Sequence, residues 1–525
     1  MKKNLLLTLV VCAVNNVFAY DAFIDGIYYN LDSTTYTAMV TNQQSSYYPA
    51  ESYTDVVNIP SFITHNSQTY QVTTIGMFAF CGCSKLTSVT IPSSITTIGA
   101  SAFSSCRVLT SVTIPNSVTT IGDYAFQVCD SLVSVAIGDS VTTIGLGAFK
   151  DCRKLSSIEI PNSVTTIGSY AFQNCSGLLF VKLSNSIKTI ESSVFEGTSL
   201  TSIEIPNSVT TIGSSAFYKC SGLTSITIPN SVTTIGDYAF AYCSSLNSIT
   251  IPNSVTTIGN YTFYGCKVLI SVRINSDAIC CKKYSYNANI KCIFGDQVKE
   301  YIVGDSVNTI GEYAFYDCKN MESVTIGKSV TSIESFAFSI INGNLQKTNY
   351  TGTIASWCKI KFNNGVTDNP IGTSGNLFIN DVEIKDLVIP EGVDTIEDYA
   401  FCGCFGLNSI IIPSSVTTIG DNAFWCCFNL SSIICYATTP PICGISCYYI
   451  VSKSIPVYVP ARSISAYKQA NVWKDFTNIL PIGDDPTRLE NLTIDKKVGN
   501  KFIYGNQLYI RHNGNLYTAT GAKVK

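Results

Sequence analysis

The sequence predicts an α/β repeat solenoid: short parallel strands on the concave side, short helical or 3₁₀ turns on the convex side, a β cap at the N-terminus and a small β tail at the C-terminus. Three observations predict it. The phrase IPNSVTTIG recurs along the chain, the phenylalanines Phe80, Phe103, Phe126, Phe149, Phe172 and Phe195 follow one another at 23-residue intervals, and the apolar spacing changes within each interval. A short internal period overrides the prior that 525 residues make several domains, because repeat proteins grow by adding coils. With 46% hydrophobic and 13% charged residues, the chain has material for a long core and too little charge for a solvated, disordered one.

One period from Leu109 reads LTSVTIPNSVTTIGDYAFQVC. Val112-Thr113-Ile114 alternates with period two and is β-branched, which predicts a short strand with one buried face. Pro115 cannot continue a ladder, and Asn116 and Ser117 favour local backbone bonds, so a turn follows. Ile121-Gly122 forms a second corner. The stretch from Asp123 to Cys129 is expected to be one short helical turn capped by Asp123. A single coil cannot close a core, whereas stacked coils align Leu, Ile, Val and Phe into ladders.

Of the 22 cysteines, eleven occupy one repeat position, three after the phenylalanine, among them Cys83, Cys106, Cys129 and Cys152. Stacked neighbours there point in parallel, whereas disulfide geometry needs converging Cβ atoms. A buried ladder of free thiols is expected, with irregular cysteines such as Cys280, Cys281, Cys292, Cys443 and Cys447 as the better disulfide candidates.

The spacing L-x-x-[VI]-x-I at Leu109, Val112 and Ile114, and again at Leu223, Ile226 and Ile228, resembles the leucine-rich repeat. Ser117, Ser163, Ser208 and Ser231 stand where Asn or Cys is customary. More narrowly, I-P-x-S-V-x-x-I-G-x-x-A-F-x-x-C resembles the BspA-like class of bacterial surface proteins. The resemblance implies a leucine-rich-repeat-type solenoid in a secreted or surface-displayed adhesion protein, one that contacts host proteins, host cells or other bacteria.

Along the chain, residues 1–19 read as a signal peptide, with Lys2 and Lys3 before an apolar stretch and Val17-Phe18-Ala19 as the cleavage site. Residues 20–71 are expected to form the N-terminal β cap, since an open terminal coil would expose a sheet edge. Residues 72–436 form the solenoid, with an irregular coil at 274–303 and an insertion at 341–381. Residues 437–482 are the C-terminal cap, and 483–525 a linker and small β tail whose end is similar to sorting tails of secreted Bacteroidetes proteins.

The sequence carries little chemistry. Only His65 and His512 are present, neither in a triad or metal-ligand spacing. Cys81-Gly82-Cys83 and Cys402-Gly403-Cys404 lack the second pair of a zinc site. No cofactor and no metal is expected, and the chain is read as a binding protein rather than an enzyme, an enzyme with its site in the insertion or tail being the lesser alternative. The net charge of −3 becomes −5 once Lys2 and Lys3 leave with the leader, and no basic stripe exists, which argues against nucleic acid. No later segment has the roughly 18 apolar residues of a membrane span.

Binding is expected on the outward strand face. Most coils present Ser and Thr there, and Glu159, Phe180, Lys182, Glu204 and Arg273 are the exceptions, hence the candidate partner-binding residues. A row of tyrosines two before the phenylalanine, Tyr124, Tyr170, Tyr238, Tyr261, Tyr313 and Tyr399, reads either as interface or as packing. Protein partners are expected, with capture of a glycan or peptide as the alternative. A specific site is to be sought at the skips in the phenylalanine spacing, Phe195 to Phe217, Phe263 to Phe315 and Phe338 to Phe401.

Overall fold

The computed structural model describes residues 20–43, 53–340, 343–363 and 365–482, together with the strands Lys501–Tyr504, Gln507–His512 and Asn515–Thr518. The expected signal peptide and the expected linker from residue 483 to 500 lie outside the described residues, as does the extreme end of the tail. The chain forms two compact units, one of residues up to 247 with 257–268, the other of 248–256 with 269 onward.

The first unit is a stack of near-identical coils. Each begins with a short strand such as Ser111–Thr113, exposed, buried, exposed along its length, because alternate side chains of a strand point to opposite faces. After the Pro115 turn come two-residue strands, Thr97–Ile98, Thr120–Ile121, Thr143–Ile144 and Thr166–Ile167, pairing in parallel with register steps of one coil. Gly122 follows because successive coils touch there: a Cβ on it would lie 2.5 Å from the Gly99 carbonyl carbon.

The turn that follows explains the phenylalanine. Bonds from Ala125 N to Gly122 O, Gln127 N to Tyr124 O and Cys129 N to Phe126 O have the i to i+3 span of a 3₁₀ turn. Tyr124 (φ 55°) and Val128 (φ 59°) are left-handed, which stops the turn from extending into a helix. It bonds instead to the next coil, Phe103 N to Ala125 O at 2.7 Å and Phe126 N to Ala148 O at 2.7 Å. Asp123, expected to cap its own turn, serves its neighbour: its Oδ1 accepts Leu146 N–H at 2.7 Å.

Left-handed backbone costs a β-branched residue most. Glycine occupies the position of Val128 in other coils, at Gly82, Gly197, Gly265 and Gly403, all with positive φ. Val128→Gly is therefore expected to raise stability by about 0.5–1 kcal/mol, the relieved strain exceeding the extra freedom of the unfolded chain. Denaturant titration reads it; a fall in midpoint would contradict the strain argument.

Behind the turns the phenylalanine rings stack. From Phe80 to Phe195 the centroids are 4.8, 5.1, 5.3, 5.5 and 5.7 Å apart and the rings within 6° of parallel. Phe195 to Phe217, where one residue is missing, keeps a 5.5 Å spacing but tilts by 21°. Tyr53 closes the N-terminal end of the row, its ring 4.7 Å from Phe80 and its hydroxyl donating to Thr41 O at 2.7 Å.

Beside the rings runs the thiol ladder. Cys106 Sγ donates to Phe80 O, Cys129 to Phe103 O and Cys152 to Phe126 O, at 3.1, 3.2 and 3.1 Å. Thr198 takes the cysteine position in the coil of Phe195, where its hydroxyl bonds Phe195 O and Cys220 Sγ. Among the described residues all 21 cysteines are free thiols, which corrects the disulfide expectation for Cys280, Cys281, Cys292, Cys443 and Cys447. Cys280 is buried while its neighbour Cys281 is exposed, and the Cys443 and Cys447 thiols meet through a hydrogen bond rather than a covalent one.

In the second unit the strand ladder is continuous from Ser248–Ile251 through Ser271–Ile274, Glu300–Val303, Ser323–Ile326 and Lys347–Tyr350 to Leu377–Ile379. Residues 274–303 carry two short helices, Asp277–Cys280 and Ile290–Phe294, outside that ladder. Within 341–381, Lys347–Tyr350 joins the ladder and the helix Ile354–Trp357 buries Trp357, whose Nε1 donates to Ala400 O at 2.8 Å. Tyr448 stacks on Phe424 at 5.2 Å in the place of the next phenylalanine, and Trp473 covers Tyr448 at 5.6 Å.

Candidate functional site

The strand face of the first unit is not one sheet. Ser111–Thr113 pairs with Ser134–Ala136 and Ser157–Glu159 with Phe180–Lys182, but no ladder joins these two pairs. The ladder also lapses beyond Lys182, through residues 202–205 and 225–228, around the coil that is one residue short. The turn and Thr-Ile ladders persist here, as Phe195 N to Ala216 O at 2.9 Å and Gly213 N to Ile190 O at 2.7 Å show. The strand side thus keeps fewer bonds, such as Ser156 N to Val133 O at 3.4 Å and Thr224 N to Thr201 O at 3.2 Å, and the Thr-Ile ladder has its own break between Thr166–Ile167 and Thr189–Ile190.

Depressions form where the ladder lapses. An open groove of about 860 Å³ runs from Phe180 and Lys182 across Glu204 to Asn230, over the lapse at 202–205. A second, of about 710 Å³, lies over the lapse between Ala136 and Glu159 and shares Lys182 with the first. Four of the five candidate residues, Glu159, Phe180, Lys182 and Glu204, therefore border one composite surface at the first skip in the phenylalanine spacing. Arg273 belongs to the second unit, on Ser271–Ile274, where it registers with Thr250 and Ile302.

The composite surface has one apolar projection and one charged row. Phe180 is 56% exposed and Leu179 beside it 54%, which is unusual in a protein whose other phenylalanines so often lie in the core. Glu159 and Lys182 are register partners on adjacent strands, and the Lys182 ammonium bonds the Glu159 carboxylate. Glu204 has no ion partner among the described residues, so the row carries one negative charge in excess. Exposed pairs of this kind are weak in themselves, which leaves the charges open to exchange with a partner.

The tyrosine row sits on the turn face. Tyr124, Tyr313 and Tyr399 are half-buried, while Tyr170, Tyr238 and Tyr261 are exposed, and every one has positive φ. Tyr238 and Tyr261 stack at 5.3 Å. The sequence pattern did not single out Tyr218, Tyr242 and Tyr264, which join them from different repeat positions: Tyr242 meets Tyr218 and Tyr264 across coils, and Tyr264 meets Tyr261 within one.

The buried thiols are chemically quiet. Burial raises the Cys220 thiol from 9.0 to about 12, against hydrogen bonds from Thr198 that lower it, and burial holds Cys106, Cys152 and Cys175 well above 9.0. Such thiols stay protonated and unreactive at neutral pH. Among the described residues no group of three or more His, Cys, Asp and Glu side chains is placed to hold a metal ion.

The sequence pattern of the BspA type leucine rich repeat region matches residues 49–179, 172–293, 289–366 and 373–471, most of the chain. The chain belongs to the BspA-type leucine-rich repeat family. Structures similar to this BspA-type protein include a leucine-rich repeat protein from Bacteroides ovatus, 28% identical over 88% of this chain and 100% of its own, TM-score 0.49. A leucine rich cell surface protein from Faecalibacterium prausnitzii is 30% identical over 64% and 96%, TM-score 0.40. The leucine rich repeat protein of T. pallidum is 30% identical over 38% and 87%, TM-score 0.33. No curated protein matches the BspA-type chain.

Proposed function

We propose that the chain is an exported surface protein that acts as an adhesin, binding a protein on a host or bacterial surface through the groove around Phe180. The observation that carries this reading is the coincidence, at one lapse of the strand ladder, of an exposed phenylalanine with the Glu159, Lys182 and Glu204 row. An aromatic anchor ringed by polar groups is the usual energetic centre of a protein interface. The excess negative charge selects a partner segment that offers a basic side chain next to an apolar one. Export is supported by the leader-like pattern of residues 1–19 and by the surface description of the Faecalibacterium relative. No helix among the described residues is long and apolar enough to cross a membrane.

The test uses residues 20–525 against a panel of purified extracellular-matrix proteins and whole cells. Saturable binding is expected, with Phe180→Ala weakening it by about tenfold or more and Glu204→Lys slowing association. Both side chains are exposed, so stability should be unchanged. Absence of binding to every matrix protein and cell, or equal binding by Phe180→Ala, would remove the reading.

A further inference from the structure

A second surface of the first unit has the chemistry of a different ligand. On the turn face, Tyr218, Tyr238, Tyr242, Tyr261 and Tyr264 form one network of rings. Tyr242 meets Tyr218 and Tyr264 edge to face at 5.4 and 5.5 Å, Tyr264 meets Tyr261 the same way at 5.9 Å, and Tyr261 stacks on Tyr238. Four of the five are between 38% and 47% exposed. They do not complete the core: Phe217, Phe240 and Phe263 behind them are already fully buried and stacked. The perpendicular arrangement matters, because it turns some ring faces as well as ring edges toward solvent.

The surroundings select what could rest there. Lys219 lies over the Tyr218 ring at 5.2 Å, and Asp237 accepts the Asn260 N–H at 2.7 Å, so the charges bordering the patch are engaged locally. The Tyr218, Tyr238 and Tyr261 hydroxyls bond no other described group, which leaves phenol donors and acceptors beside the ring faces. An apolar partner would bury those hydroxyls unpaired, at a cost. A polyanion would find no cationic row, only separate lysines such as Lys219 and Lys267. A neutral sugar chain satisfies both demands: its C–H faces lie on rings and its hydroxyls bond phenols. Gly265 is part of the same design, since a Cβ there would sit 2.7 Å from the Tyr242 ring.

We propose that this tyrosine cluster binds a neutral polysaccharide, independently of the strand-face groove. The experiment is affinity electrophoresis of residues 20–525 through gels containing β-glucan, xylan or mannan, with heparin as the charged comparison and a proline-rich peptide as the protein-like one. Retardation by at least one neutral polysaccharide is expected. The double variant Tyr238→Asn, Tyr261→Asn should weaken it about tenfold, the worth of two lost ring contacts. Asparagine keeps the fold, since Asn422 holds the equivalent left-handed position at φ 53°. Phe180→Ala should leave retardation unchanged, which separates this site from the groove. Unchanged mobility in all three neutral gels, equal retardation of the double variant, or binding of heparin or the peptide instead would overturn the proposal.

Discussion

Phe149→Ala is expected to destabilise the first unit by about 3–5 kcal/mol, the cost of emptying a buried phenylalanine site. Phe149 is completely buried and its ring stacks on two others, at 5.3 Å from Phe126 and 5.5 Å from Phe172, so the substitution opens a gap in a row rather than at its end. In a repeat array stability is roughly a sum of coil and interface terms, and removing this ring weakens two interfaces at once. Denaturant unfolding should show the shift, and hydrogen exchange should localise it to the coils around Phe126, Phe149 and Phe172. Phe180→Ala, the same chemistry at an exposed site, is the control. A loss below about 1 kcal/mol would mean that the row does not hold the stack together.

Alkali should unfold the protein steeply, beginning just above the ordinary thiol value of 9.0. Burial holds the thiols of Cys106, Cys152, Cys175, Cys243 and Cys427 well above that value, whereas in the unfolded chain they titrate normally. The unfolded state therefore binds fewer protons than the folded one between the two values. Stability, complete below about pH 9, falls as the pH rises through that window. One unit above the ordinary value each such thiol withdraws on the order of 1 kcal/mol, and several together approach the whole stability of a typical domain. Circular dichroism against pH under reducing conditions reads the transition. A triple change of Cys106, Cys129 and Cys152 to Ala should move its midpoint to higher pH once compared with an equally destabilised neutral-pH control. An unmoved midpoint, or no transition before tyrosine begins to ionise near 10.0, would refute the thiol account.

The stack was legible in the sequence because its cause is a spacing. Phenylalanines 23 residues apart become rings about one coil apart, and cysteines three positions later become a column of thiols. The outward direction of Glu159, Phe180, Lys182 and Glu204 followed from period two alone. Left-handed backbone was not legible in Tyr124 and Val128 themselves, since tyrosine and valine are poor markers for it; sister coils hint at it, through Gly147 and Asn422 at the first position and Gly82, Gly197, Gly265 and Gly403 at the second. The lapse of the ladder was half visible: the missing residue between Phe195 and Phe217 marked the place, but not which backbone bonds would be lost around it. Tyr218, Tyr242 and Tyr264 were hidden among unrelated repeat positions because Tyr242 meets Tyr218 and Tyr264 only across coils.

The uneven bonding of the first unit has a mechanical consequence. On the phenylalanine turns each coil is tied to the next by short backbone bonds, while the strand ladder forms only in pairs and the Thr-Ile ladder breaks between Thr166–Ile167 and Thr189–Ile190. Such a column is joined without interruption along its turn edge alone, like a spine jointed along a single side. A load on the column would be taken up first where both ladders lapse, in the coils on either side of Phe180–Lys182.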